Sequence, residues 1–197
     1  MRKIAVASLI TLVITGAGSA QSSQPQSQTA LPPAPQKFPL IQYLTRGQDA
    51  AARDLLEAAE LMPEEHYGFR ATTETKPFGQ IVAHIALSRF GTCAALAGKE
   101  NPHKGEKEEA GRTKAQLVAL LKEAATLCTA AREGLTEESL TQMMKVGVAQ
   151  NEVAKGVFLA SDIGHSNEIY GTMAVYLRLK GLVPPSTARA QKARGSQ

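Results

Sequence analysis

Apolar residues recur at three- and four-residue steps along most of the chain, which is the spacing of amphipathic helices. A first helix is predicted from about Phe38 to Met62, and Pro63 ends it because the residue before a proline disfavours the helical conformation. A second helix is predicted from Pro77, which suits a first helical turn, to about Gly98. Each of these segments is expected to bury one apolar face.

Two further helices are predicted in the second half of the chain. The third begins near Thr113, which suits an N-cap, and ends at Gly134. An irregular stretch interrupted by Gly147 follows, and the fourth helix is predicted from about Gln150 to Gly181. No segment is predicted to form a strand. Four amphipathic helices in a domain of this size predict an all-α fold, a four-helix bundle.

The two ends of the chain differ in composition from this helical part. Residues 1–20 are typical of a signal peptide, with a charged start, a short apolar run and small residues at the cleavage position; an uncleaved anchor is the alternative. Residues 21–37 are rich in Gln, Ser and Pro and are predicted to be a disordered linker. Residues 186–197 are predicted to be a flexible basic tail. One bundle domain, 38–185, remains, and we expect it to be exported, to a periplasm or the medium, without stable membrane insertion after cleavage.

The net charge of +4 does not indicate a nucleic-acid partner. Two of the basic residues, Arg2 and Lys3, leave with the signal peptide, and three more lie in the tail, which is either solvated or in weak contact with an anionic surface. The bundle itself is therefore close to neutral and lacks a basic footprint. The sequence also lacks the G-x-S-x-G elbow, the Gly-rich phosphate loop and the C-x-x-C pair of several common enzyme classes.

The polar residues of the fourth helix are the main candidates for chemistry. Asp162, His165, Asn167 and Glu168 lie in a segment that is apolar most of the way round, and burying such groups is costly unless they find partners. His84 lies in the second helix, and bundles build metal sites from side chains on facing helices. Because a closed zinc site takes three or four protein ligands, two core histidines with polar neighbours are the alternative. His165 and Glu168 could also form an acid–base pair.

Two longer motifs resemble a known family. The segments LMPEEHYGFRATTETKPFGQIVAHIA (61–86) and GHSNEIYGTMAVYLRLKGLVPPST (164–187) are similar to the DinB-like superfamily (DinB/YfiT type), small and mostly bacterial proteins. The resemblance covers about 45–187 and implies an up-down-down-up four-helix bundle. It also implies a divalent metal, Zn, Ni or Mn, on one histidine of the second helix and an H-x-x-x-H pair of the fourth. Some members resemble thiol transferases that use bacillithiol, mycothiol or glutathione.

The resemblance assigns two metal-ligand positions to His84 and His165. The third ligand position of the family is occupied here by a residue that cannot bind a metal. That position, four residues after His165, is Ile169, which cannot coordinate a metal. Either Glu168 or Asp162 replaces the missing histidine, or the site binds a metal weakly or not at all.

The missing third ligand leaves two candidate functions. The first is a degenerate member of the family, a non-catalytic or weakly metal-binding protein that takes an unknown small molecule. The alternative is a divalent-metal-dependent transferase or hydrolase, similar to the thiol transferases. The loss of a ligand at Ile169 and the predicted export, away from the mainly cytosolic thiols of the family, favour the first. Nucleic acid is not expected as a partner, and a homodimer is left open.

The positions of the two cysteines, Cys93 and Cys128, bear on how the helices of the bundle are connected. Measured from their helix starts at Pro77 and Thr113, they lie at heights of about 24 Å and about 22 Å. A disulfide between them, which an oxidising compartment permits, would therefore fit a parallel second and third helix and not a simple hairpin. Two buried thiols that never meet are the alternative.

Overall fold

The computed structural model describes residues 39–147 and 149–195. Four long helices dominate it: α1 (Leu40–Leu61), α2 (Phe78–Leu96), α3 (Lys114–Arg132) and α4 (Lys155–Leu179). A shorter helix, α5 (Pro185–Gly195), follows them. The signal peptide and the linker predicted for residues 1–20 and 21–37 lie outside the described residues, and both stay predictions.

Contacts between helix ends establish the direction of each helix. Gln48, near the start of α1, bonds Asp162, near the start of α4, at 2.9 Å, so these two helices are parallel. The same Gln48 side chain lies 3.9 Å from the sulfur of Cys93, near the end of α2, so α1 and α2 are antiparallel. Cys93 and Cys128 lie near the ends of α2 and α3, which are therefore parallel. This order is up-down-down-up, as predicted.

The structure joins Cys93 and Cys128 in a disulfide, with 4.9 Å between their Cα atoms. The bond crosses a buried apolar cluster at one end of the bundle, which includes Leu44, Leu96 and Leu159. A second and larger buried cluster fills the rest of the interior between α1, α2, α3 and α4. The predicted pairing of the cysteines and the parallel arrangement of α2 and α3 are thus both present.

The connection between α2 and α3 runs the length of the bundle before α3 begins at a capping box. The Thr113 side chain accepts a hydrogen bond from the Gln116 amide, and the Gln116 side chain accepts one from the Thr113 amide. This reciprocal pair satisfies backbone donors that the first turn of a helix leaves without partners. The predicted N-cap at Thr113 is confirmed.

A two-stranded hairpin precedes α4, in a region where no strand was predicted from the sequence. Strand β1 (Met143–Val146) pairs antiparallel with β2 (Asn151–Ala154), and the prediction that α4 begins near Gln150 placed its start too early. Gly147 and Gln150 both adopt positive φ angles, of 68° and 52°, and turn the chain between the strands. The prediction failed because the strands are only four residues long and none of their residues is fully buried, so they carry little apolar alternation.

The segment predicted as a flexible tail also differs in the structure. Residues 185–195 form α5, and Arg189 contacts the carboxylates of Asp54 and Glu57 on α1. These ion pairs attach α5 to the bundle, which composition alone did not indicate. Of the helices in the described ranges, none is long and apolar enough to span a bilayer.

Candidate ligand site at a histidine pair

The structure brings His84 of α2 and His165 of α4 together, as predicted. Their Nε2 atoms lie 3.2 Å apart, and the rings meet edge to face with 5.2 Å between their centroids. Each side chain is about one third exposed, at 32% and 34%, so the pair is open to a small molecule from one side. The two histidines meet in the first half of α2 and near the middle of α4.

The spacing of the two nitrogens is compatible with two different states. Two imidazole nitrogens on one tetrahedral zinc ion would be about 3.3 Å apart, given Zn–N distances near 2.0–2.1 Å. The same spacing suits a hydrogen bond in which one Nε2 donates its proton to the other. No group of three or more His, Cys, Asp or Glu side chains within residues 39–147 and 149–195 is arranged to hold a metal. The side chains present therefore fit two ligands of a metal, and they do not fit a closed three-histidine centre.

The carboxylates considered as replacement ligands lie apart from the point where the two histidines meet. Glu168 Oε2 is 3.6 Å from Nδ1 of His165, the outer ring nitrogen, and its side chain is 76% exposed. At this distance the two side chains form no hydrogen bond. Asp162 is buried and accepts hydrogen bonds from Gln48 at 2.9 Å and Arg89 at 3.2 Å. The structure places the Asp162 carboxylate in a buried network with Gln48 and Arg89, and its candidate role as a third ligand stays a prediction.

The network around Arg89 holds α2 and α4 in register. Arg89 is 1% exposed, and its guanidinium donates to Ser166 at 2.8 Å as well as to Asp162. Burial lowers the pKa of Arg89, and the charge of Asp162 opposes that shift. An arginine side chain keeps its proton in proteins, so the guanidinium is charged in this buried position. Ser166 is the neighbour of His165, so these bonds fix the rotation of α4 that turns His165 toward α2. Sequence reasoning missed Arg89, although it is the one Lys, Arg, Asp or Glu within Phe78–Leu96.

A second residue missed by sequence reasoning, Glu108, contacts the pair from the connection between α2 and α3. Its Oε1 lies 2.5 Å from Nδ1 of His84, and its Oε2 contacts the ammonium of Lys76. Burial acts to raise the pKa of Glu108, but hydrogen bonds and charges from Lys76 and His84 outweigh it and hold the pKa below its usual value. Glu108 is therefore a carboxylate that bonds the outer nitrogen of His84.

A pocket of about 270 Å³ opens beside His84, on the side of Ile169. Its walls are mostly apolar, and its lining residues come from the start of α2, from α4 and from the segment before α2: Thr75, Lys76, Ile81, His84, Ile169, Thr172 and Tyr176. The Tyr176 hydroxyl donates to the Lys76 carbonyl at 2.7 Å, which leaves its ring as a wall. Ile169 thus contributes an apolar surface where the family resemblance places an imidazole.

Comparisons with known proteins agree with this fold. The sequence profile of the DinB superfamily matches residues 49–159, more than half of the chain. The comparison with curated proteins found no match. A DinB-like protein from Bacillus cereus is 18% identical, with a TM-score of 0.63 over 74% of this chain and 95% of its own.

Two other solved structures carry functional descriptions. YfiT from Bacillus subtilis, described as a probable metal-dependent hydrolase with an unusual four-helix bundle topology, is 15% identical, with a TM-score of 0.57 over 72% of this chain and 88% of its own. A mycothiol-dependent maleylpyruvate isomerase is 16% identical, with a TM-score of 0.53 over 70% of this chain and 60% of its own. At these identities the likeness shows a shared fold. With the profile match over more than half of its length and the up-down-down-up bundle, the chain belongs to the DinB superfamily.

Proposed function

We propose that this protein is an exported member of the DinB superfamily that binds a small molecule in the pocket beside His84, at a site that has lost one metal ligand. Export is supported by the charged, apolar and small-residue succession of residues 1–20 and by the two cysteines. Metal binding at the remaining two histidines is weak or absent. The function is therefore one of binding and not of metal-dependent catalysis.

The single observation that carries this proposal is the position of Ile169. Its side chain packs against the main core and also forms a wall of the pocket that His84 lines. A histidine at this position would fill that space with a polar ring directed to the pair. An isoleucine instead leaves a mostly apolar recess with a few polar groups at its edge, His84 among them, which is the usual composition of a small-molecule site.

The size and lining of the pocket limit the ligand. A volume of about 270 Å³ lies just below the usual range for pockets that take drug-sized ligands. The apolar walls, Ile81, Ile169 and the ring of Tyr176, suit a small aromatic or branched aliphatic body. His84 provides a polar contact for one group of that ligand.

A metal-dependent transferase or hydrolase is the second candidate. The 3.2 Å spacing of the two Nε2 atoms favours it, because the spacing suits two ligands of one ion. The description of YfiT as a probable metal-dependent hydrolase and the mycothiol-dependent isomerase among the similar structures give it further support. In such an enzyme His84 and His165 would hold the ion, which would act as a Lewis acid, and the substrate would complete its coordination.

Small aromatic fragments test the binding proposal. Indole and 4-methylphenol should shift the backbone amide resonances of residues around the pocket, and Ile169→Trp should abolish these shifts because the indole ring fills the recess. Val175→Trp, on the exposed face of the same helix, is the matched control and should leave the shifts unchanged. Titrations followed by ¹H–¹⁵N NMR give the result. Fragment shifts that survive Ile169→Trp, or the absence of shifts near His84 in the wild type, would refute the proposal.

A further inference from the structure

Glu108 contacts two cationic or proton-donating side chains with its two oxygens. Oε1 lies 2.5 Å from Nδ1 of His84, while Oε2 contacts the Lys76 ammonium. The Glu108 side chain is 24% exposed, and the contact of Oε2 with the Lys76 ammonium favours the ionised carboxylate. An ionised carboxylate can only accept hydrogen bonds.

This contact decides where the proton of His84 resides. Since Glu108 accepts, Nδ1 of His84 must carry the hydrogen, and in the neutral ring the other nitrogen, Nε2, then has a free electron pair. Nε2 of His165 lies 3.2 Å from that electron pair and must therefore donate its own hydrogen. The chain of bonds has one direction, from His165 to His84 to Glu108.

We propose that Glu108 is a positioning residue that holds His84 in its Nδ1–H tautomer, so that Nε2 keeps its electron pair as an acceptor. His165 uses this electron pair when the site is unoccupied, and a ligand that binds there would replace His165 as the partner of Nε2. Carboxylates fix the tautomer of metal-binding histidines by the same contact. The class of ligand follows from the tautomer. His84 receives groups that accept an electron pair, either a cation or a hydrogen-bond donor such as a hydroxyl, and it disfavours a carbonyl or an anion.

This ligand class rests on the proposed function, but the tautomer does not. The competing explanation is that Glu108 only ties the connection between α2 and α3 to Lys76. An exposed ion pair of that kind contributes little to stability and would leave the histidine tautomer unaffected. The two explanations therefore predict different tautomers of His84, and the tautomer can be measured by NMR without a ligand.

Glu108→Gln separates them without changing the shape of the side chain. Lys76 will bind the amide oxygen, which leaves the amide NH₂ to face Nδ1 of His84. Nδ1 must then accept, so His84 should change to the Nε2–H tautomer, and His165 should become the acceptor. Lys76→Met is the matched control, because it removes the ion pair and keeps the carboxylate on His84.

Long-range ¹H–¹⁵N spectra of the imidazole rings, recorded at about pH 8.5 where histidine is neutral, report the tautomer directly. We expect Nδ1–H on His84 in the wild type and in Lys76→Met, and Nε2–H in Glu108→Gln. His103, whose Nδ1 lies 2.7 Å from Glu106, is an internal reference that should keep its tautomer throughout. Thermal unfolding shows that each variant is folded.

Three results would overturn the inference: Nε2–H on His84 in the wild type, Nδ1–H retained in Glu108→Gln, or a changed tautomer in Lys76→Met. None of them depends on whether the pocket binds fragments. Failure of the fragment titration with the expected tautomers would instead refute the proposed function and leave the role of Glu108 intact.

Discussion

Replacing Ile169 with histidine is expected to raise the affinity for Zn²⁺ by roughly two orders of magnitude or more. The position is four residues after His165, one turn along the same helix face, and its side chain already borders the pocket beside His84. A third imidazole would convert the two-histidine pair into a three-ligand site. The apparent free energy of zinc binding to a structural four-ligand site, divided equally, gives about 3 kcal/mol for each ligand. A gain of this size corresponds to roughly two orders of magnitude in the dissociation constant.

Competition with a chromophoric chelator measures the affinity of both proteins. Ile169→Phe is the matched control, since it introduces a ring of similar breadth that cannot coordinate a metal. Ile169→His combined with His165→Ala should lose the gain, because only two imidazoles then remain. An affinity for Ile169→His no higher than that of the wild type would mean that position 169 does not point at the pair.

Loss of the Cys93–Cys128 bond is expected to destabilise the domain by roughly 3 to 4 kcal/mol in the chain-entropy treatment of a crosslink. The bond closes a loop of 35 residues between the ends of α2 and α3, so it restricts the unfolded chain over a long stretch. In urea, the unfolding midpoint of the Cys93→Ala/Cys128→Ala variant should therefore fall well below that of the oxidised wild type.

Reduced wild-type protein is the control for packing. Both sulfur atoms are buried, so the double alanine variant loses core contacts as well as the crosslink, whereas reduction removes the crosslink alone. Most of the decrease should already be present in the reduced wild type. Equal stability of the oxidised and reduced proteins would show that the crosslink does not stabilise the domain.

The bundle and its connectivity were predictable because they depend on features that persist over many residues. Helix periodicity located all four long helices, with the start of α4 the one large error, and the matching heights of Cys93 and Cys128 indicated a parallel α2 and α3. Two histidines on separate helices made a pair possible, and the family resemblance assigned them to one site. The hairpin and α5 were missed because short exposed elements leave a weak pattern in the sequence.

The partners of the histidines were not predictable to the same degree. Glu108 lies in a polar connection beside Glu106 and Glu109, and only the path of that connection in space selects it for the contact with His84. The hydrogen-bond partners of Asp162 were not predictable either, because Gln48 and Arg89 come from two other helices. A charged residue alone in an apolar helix, as Arg89 is, was the signal that could have indicated that network.

Elemental analysis of the purified wild-type protein tests the central claim most directly. The claim is that Ile169 leaves a two-histidine site that does not retain a metal tightly. After expression with its own signal and gel filtration in metal-free buffer, the protein should contain Zn, Ni and Mn at a total well below one ion per chain. One tightly held ion per chain would contradict the account and would mean that a further side chain, with Glu168 the first candidate, completes the site.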